Sequence, residues 1–316
     1  MNSSSWIESL NIGRLFKWYL SGLAALGYAL ENHNGNAAHV QFPLHNAVFH
    51  DALTAGEASS LEDVDRTATA AGNHYRALGI SIGLLGIVIV LLAIAPVGLD
   101  LEPHTSYLLG GLKVGLMVLM LLIVVLGRRS HTRRRWIDLR AHAEELRYRP
   151  LVALIKRADA EPEHAPTLDA LEQNLLDVLD GPQGQIAYNA SKARLYHAVE
   201  HFSDVLLWAS VILALFGAVG HLLLHREWWI FFTAFGPAAV GGVHGINGFL
   251  NISGLMEDHH AMEQSLAKSL TNVKELRASP TRAHDLPALA AYVLGTLTSR
   301  DVSWVKSAGK RNLVPA

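Results

Sequence analysis

The sequence predicts an all-α, polytopic membrane protein: four transmembrane helices in two hairpins, accompanied by amphipathic helices on the cytoplasmic side. Three observations carry that prediction. Half of the 316 residues are hydrophobic while only 17% are charged. The apolar residues are bunched into four runs, Ala77–Leu99, Ser106–Gly127, Ser203–Leu224 and Trp229–Leu250, whose only formal charges are Lys113 and Asp204. A bilayer core of ~30 Å takes ~20 apolar residues to cross as a helix, and the runs are too long for the strands of a membrane barrel. Finally, basic residues avoid the two short connectors: Val97–Thr105 has none and His225–Trp228 only Arg226, whereas ten crowd between Arg128 and Arg157. Positive charge is retained inside bacterial membranes. The termini and the central segment are therefore expected in the cytoplasm of a multi-pass bacterial inner-membrane protein.

Taken in order, the chain divides into an N-terminal cytoplasmic or interfacial segment (1–59), a first entry helix, two-span hairpin and exit helix (60–157), a linker with a short helix (158–184), a second such unit (185–279) and a cytoplasmic tail (280–316). Met1–Ser9 has no basic stretch, so no cleaved signal is expected. Leu10–Leu30 is helical by pattern, but Arg14 and Lys17 leave too short an uncharged run to span, so it is expected at the interface or buried. Asn32–His50, rich in Asn, His and Gly, reads as a loop. Ser60–Arg76 is a helix leading into the first span, with Ser60 and Asp63 spaced as a capping box.

After the second span, Arg133–Arg149 places Trp136, Leu139, Ala143 and Leu146 on one face, and Pro150 is expected to kink or end that helix. Asp159–Thr167 is an acidic linker, Leu168–Leu179 a short helix, and Gln185–Glu200 a helix running into the third span. Beyond the fourth span, Met262, Leu266, Leu270, Val273 and Leu276 recur at helical spacing. Pro280 closes that helix and Leu286–Val305 forms the last. The two halves share one plan, so His74–Arg147 can be laid over His201–Leu276 as an internal duplication of weak identity.

Polar residues within the spans are few. His244, Asn247 and Asn251 fall at i, i+3 and i+7 of the fourth span, one stripe of a helix. Such a stripe either bonds neighbouring helices or lines a wetted cavity, and the spacing leaves both open. Lys113 either snorkels to the outer surface or faces a water-filled path. These four residues are the pore-lining candidates. Gly79-xxx-Gly83, Gly111-xxx-Gly115 and Gly241-xxx-Gly245 permit close helix approach, within the chain or between subunits.

Zero cysteines exclude disulfides, thiolate metal sites and cysteine nucleophiles, and a net charge of −2 excludes a uniformly basic nucleic-acid-binding chain. Seventeen histidines invite comparison with membrane di-iron oxidoreductases. His197 and His201 have ligand spacing, as do Glu257 and His260, but Met256 interrupts the paired-histidine box before His259 and His260. His45 and His50 diverge on a helix. No metal, cofactor or catalytic residue is assigned; phosphate-loop, dinucleotide and nucleophile-elbow motifs are missing, and no enzyme activity is expected.

Arg128, Arg129, Arg133, Arg134 and Arg135 follow the second span directly. Lipid headgroups and topology explain such a cluster, while arginine forks also hydrogen-bond phosphate, which makes these five the candidates for binding a nucleotide or short single-stranded oligonucleotide. Trp136 and Tyr148 stand near enough in sequence to stack on bases.

HYRA at 74–77 before a spanning hairpin, followed by RRRWIDLRAHAEELR at 133–147, resembles the SLATT (SMODS- and SLOG-associating transmembrane) group of bacterial effectors. QIAYNASKARLYHAVEH at 185–201, GPAAVGGVHGINGF at 236–249 and MEDHHAMEQSLAKSL at 256–270 are similar to the second half of its four-span members. The resemblance covers Ser60 to Leu276. It implies an oligomeric channel of anti-phage defence, with a tetramer favoured, controlled by a nucleotide signal from a partner nucleotidyltransferase and acting by depolarising the inner membrane. One type within the group holds its channel closed with a short DNA oligomer. A membrane anchor that recruits a cytoplasmic partner is the competing expectation.

Overall fold

The computed structural model describes residues 13–31, 55–99, 101–129, 131–162, 164–181 and 184–310. Among the described residues there are nine helices and no strands. They are α1 (Gly13–Glu31), α2 (Ala55–Gly98), α3 (Pro103–Arg129), α4 (Thr132–Ala160), α5 (Ala165–Asp180), α6 (Gln185–Leu224), α7 (Trp228–Leu250), α8 (Ile252–Leu276) and α9 (Arg282–Lys310). Four of them are long and apolar enough to cross a membrane: α2, α3, α6 and α7. The predicted loop at Asn32–His50, with His45 and His50, lies outside the described residues.

The entry helices run into the apolar runs without a break. Ser60–Arg76 and the first apolar run form the continuous 44-residue α2, and Gln185–Glu200 continues into the third run as the 40-residue α6. Nothing in Arg76-Ala77 or Glu200-His201 breaks a helix, since Gly and Pro are both missing there. Both halves then follow one order. A long helix is followed by a shorter one packed on it (α3 on α2, α7 on α6), and an exit helix returns against the long one (α4 on α2, α8 on α6). A left-handed residue stands directly before each exit helix: His131 at φ 47° and Asn251 at φ 57°. His and Asn are among the residues that tolerate this region.

Helix α4 runs through Pro150 to Ala160, rather than ending there. Proline removes one backbone hydrogen bond, but Leu151, Ile155 and Ala158 immediately beyond it are buried, and their packing holds the helix together.

Two cores result. One is a helical layer in which Leu151 and Ile155 of α4, Leu171 and Leu175 of α5, Leu266 and Val273 of α8, and Leu286 and Leu297 of α9 interlock. Each buried Leu contributes ~1.5–3 kcal/mol. The other surrounds the junction of spans and entry helices, where Tyr19, Leu20 and Ala24 of α1 pack against Ile80, Leu195, Val199, Ile246 and Leu250. Helix α1 thus buries one face against the spans and leaves Trp18 and Leu26 exposed on the other. Gly27 of α1 lies so close to the Ala198 backbone that a Cβ has no room.

The glycine pairs divide. Gly79 and Gly83 of α2 receive Phe249 and Ile246 of α7 and serve packing within the chain, whereas Gly111, Gly115, Gly241 and Gly245 have nothing within 4 Å of where a Cβ would stand. Helix α3 packs on α2 alone to any extent, and none of its most apolar 18-residue window is buried inside the chain. Leu108, Leu121 and Leu122 all point outward. So large an apolar surface suits hydrocarbon or a partner helix, not water.

Candidate functional site

The five arginines after the second span are divided between two helices. Arg128 and Arg129 are exposed in the last turn of α3, where their charge complements the negative end of the helix dipole. Arg133, Arg134 and Arg135 fall in the first turn and a half of α4, where the dipole has the opposite sign and repels them. An anion bound at this end relieves that repulsion. Arg134 and Arg135 line an open groove of about 580 Å³ together with His131, Asp138, Leu139 and His142. Arg128, Arg129 and Arg133 do not line it, so two of the five predicted residues share a concave surface. Trp136 turns the other way and is buried.

Below the groove, α4 is fastened to α2 by charge. Arg147 lies 2.8 Å from Asp65 and 2.5 Å from Glu144, and Arg140 lies 3.1 Å from Asp65 and also contacts Glu144. Burial alone lowers the affinity of the Arg147 guanidinium for its proton. Glu144, Tyr148 and Asp65 outweigh that and hold it above the usual arginine range. The network fixes the start of α2 to the middle of α4.

The fourth-span stripe is less uniform than its spacing suggests. His244 is exposed. Asn247 accepts a hydrogen bond from the Tyr19 hydroxyl at 2.8 Å and donates to Ser203 Oγ at 2.6 Å, thereby joining α1, α6 and α7. Asn251 leaves the stripe, because the helix ends at Leu250 and Asn251 turns left-handed. Lys113 is half-buried on α3. Among the described residues no three His, Asp or Glu side chains group as a metal-ligand set. His259 lies 2.7 Å from Asn189 Oδ1 and stacks on Tyr196, and His260 faces Gln264 and Glu263.

One assembly was not legible in the sequence. The Arg76 guanidinium is held between Phe16 at 4.8 Å and Trp136 at 4.7 Å, joining α1, α2 and α4. Tyr75 stacks on the same Trp136. Lys192 of α6 leans over Tyr188 and feels the positive charges of Arg76 and Lys17. The available signal was an arginine one residue before an apolar run, which many membrane helices carry for orientation alone.

These features belong to a protein that is all-helical among the described residues, with four helices long and apolar enough to cross a membrane. Comparison with family models, curated proteins and solved structures finds no match.

Proposed function

We propose that the protein is a homo-oligomeric channel effector of bacterial anti-phage defence, gated from the cytoplasm by a nucleotide or short oligonucleotide and acting by depolarising the inner membrane. The observation that supports it best is helix α3. Its apolar window is unburied, it packs on α2 alone to any extent, and Gly111 and Gly115 stand open along it. A span with so little intrachain partnership offers a face on which subunits can meet and enclose a path that one four-span chain cannot. Its end leads directly into the basic residues of α4, so a ligand there is mechanically next to the span.

In this reading the chain forms two transmembrane hairpins with both termini cytoplasmic, and a tetramer is the favoured assembly. A nucleotidyltransferase supplies the signal. Lys113, His244, Asn247 and Asn251 are carried as permeation-path candidates, and Arg128, Arg129, Arg133, Arg134 and Arg135 as phosphate ligands. Support for the SLATT relationship is the set of sequence signatures above, which span both halves.

Planar-bilayer recording of purified protein is the test. Unitary conductance that changes when mononucleotides, cyclic dinucleotides or short oligodeoxynucleotides are added to the cytoplasmic side is the expected result. An intact oligomer that passes no current under any of these conditions rejects the channel and leaves the membrane-anchor role.

A further inference from the structure

The open face of helix α1 is basic and aromatic at its N-terminal end. Tyr19, Leu20 and Ala24 pack inward, whereas Arg14 and Lys17 are exposed and Trp18 is 66% exposed. Gly22 belongs to the open face as well, with nothing within 4 Å of where its Cβ would stand. Spacings of three and four residues make neighbours on a helix, so Arg14, Lys17, Trp18 and Gly22 form one stripe. A tryptophan with one end apolar and the other wet is the residue of a membrane–water boundary. A lysine or arginine beside it keeps its charge among headgroups while its stem lies along apolar surface.

The buried face fixes the height of that stripe. The first apolar run begins at Ala77, and Arg76 directly before it lies over the Phe16 ring at 4.8 Å. The third run begins at Ser203, which accepts from Asn247, and Asn247 in turn accepts from Tyr19. The fourth run ends at Leu250, which shares a core with Tyr19, Leu20 and Ala24. Phe16, Tyr19 and Leu20 therefore stand level with one end of three apolar runs. In a bilayer that level is the edge of the hydrocarbon, and the distribution of basic residues makes it the cytoplasmic edge. Tyr19 sits beside Ser203 and Gly27 against Ala198, so α1 runs counter to α6. The half of α1 nearest the hydrocarbon is thus the half that carries Arg14, Lys17 and Trp18.

We infer that the open face of the N-terminal half of α1 docks on anionic phospholipid of the cytoplasmic leaflet. Arg14 and Lys17 meet headgroup phosphates, the guanidinium through paired N–H donors, and the Trp18 ring lies at headgroup depth beside them. Charge selects this occupant. The leaflet surface is negative, and each Lys or Arg held near it strengthens association about fivefold. A second copy of the chain meeting this face across a two-fold axis brings the same two cations to the contact and is repelled. The hydrogen bonds from Tyr19 to Asn247 and from Asn247 to Ser203 pass the attachment on to α7 and α6. Anionic lipid then holds α1 in place against the third and fourth apolar runs. The surface rests on the reading that the four apolar helices cross a bilayer, and not on the chain conducting ions.

The chain has no cysteine, so one nitroxide label can be placed at a time in the full protein. G22C puts it on the open face of α1. V118C, exposed in the middle of the second apolar run, marks hydrocarbon, and E275C, exposed at the far end of α8, marks water. In vesicles of phosphatidylcholine with phosphatidylglycerol, the G22C label should show accessibility to oxygen and to an aqueous nickel chelate between those of the two markers. In nanodiscs of the same mixture, native mass spectrometry counts phosphatidylglycerol retained over phosphatidylcholine. R14Q and K17Q should each lower that preference about fivefold, while R14K and K17R, which keep the charge, should retain most of it. A G22C label as open to the nickel chelate as E275C overturns the docking. Shielding from both reagents with spin–spin broadening gives the face to a second copy and overturns it as well. Folded R14Q/K17Q protein that retains phosphatidylglycerol like the wild type overturns the anionic preference. A V118C label found in water instead rejects the bilayer-spanning reading itself, and the docking with it.

Discussion

Replacing Asn247 with Leu separates two roles that its position on the fourth apolar helix leaves entangled. The side chain accepts from Tyr19 at 2.8 Å and donates to Ser203 at 2.6 Å. Ser203 survives the loss, because its own hydroxyl proton already goes to the Val199 carbonyl at 2.9 Å. Tyr19 does not: its ring is buried, and without Asn247 its hydroxyl has no acceptor of this kind. An interhelical hydrogen bond in a membrane protein is worth ~0.6 kcal/mol on average, and a buried hydroxyl left unsatisfied costs ~1–3 kcal/mol. N247L should therefore lose ~2–3 kcal/mol, and Y19F ~1 kcal/mol. The double variant should lose less than the sum, with a coupling of ~1 kcal/mol, because removing both partners leaves nothing unsatisfied. Reversible unfolding in mixed micelles, monitored by tryptophan fluorescence, measures all three. A coupling near zero refutes the argument that Asn247 docks α1 onto the spans. N247L/N251L in bilayer recordings completes the separation: reduced single-channel current with intact insertion assigns the pair to the permeation path, and unchanged current assigns Asn247 to packing.

Three further outcomes follow from the same geometry. G27A should destabilise by ~1–3 kcal/mol because its methyl meets the Ala198 backbone, whereas G22A, with nothing within 4 Å, should be neutral or gain up to ~1 kcal/mol of helix propensity; the same unfolding assay compares them. R147M takes away one of two guanidinium partners of Glu144, with Arg140 still in contact, and should cost ~1–3 kcal/mol, while E144L/R147M should recover part of that loss in thermal unfolding. R133Q/R134Q/R135Q, with Arg128 and Arg129 retained for topology, should weaken oligonucleotide binding and flatten its log–log salt dependence by about 0.7 for each phosphate no longer neutralised, read by titration at two salt concentrations.

The spans were legible because the bilayer imposes a demand on sequence that is local and long. Some twenty consecutive apolar residues can be recognised without knowing any neighbour. The repeat was legible for the same reason, as a recurring order of apolar and amphipathic stretches. Junctions were not. Whether an entry helix is separate from its span depends on the absence of breakers at Arg76-Ala77 and Glu200-His201, and a change from polar to apolar composition looks the same either way. At Pro150 the sequence left a kink or an end open, and the packing of Leu151, Ile155 and Ala158 carries the helix past it. The stripe of His244, Asn247 and Asn251 breaks at Asn251, where the helix ends, and periodicity does not report that Tyr19, more than 200 residues away in sequence, bonds to Asn247.

Helix α4 joins the candidate phosphate groove to the first long helix. Its outward face carries Arg134 and Arg135 in the groove, and its inward face carries Trp136 against Arg76. Two turns further along, Arg140, Glu144 and Arg147 bind it to Asp65 of α2. A ligand in the groove therefore bears on one side of an element whose other side is fastened to the helix containing the first span. Binding shifts a conformational equilibrium only by its difference in affinity between the two states. The groove is open and bordered by exposed side chains, so a small tilt of α4 changes little there. At Arg76 the covering rings come from α1 and α4, and the same tilt pulls Trp136 from the guanidinium it covers. A groove ligand therefore biases the first span only if its binding moves α4 against the contacts at Arg76 and Asp65.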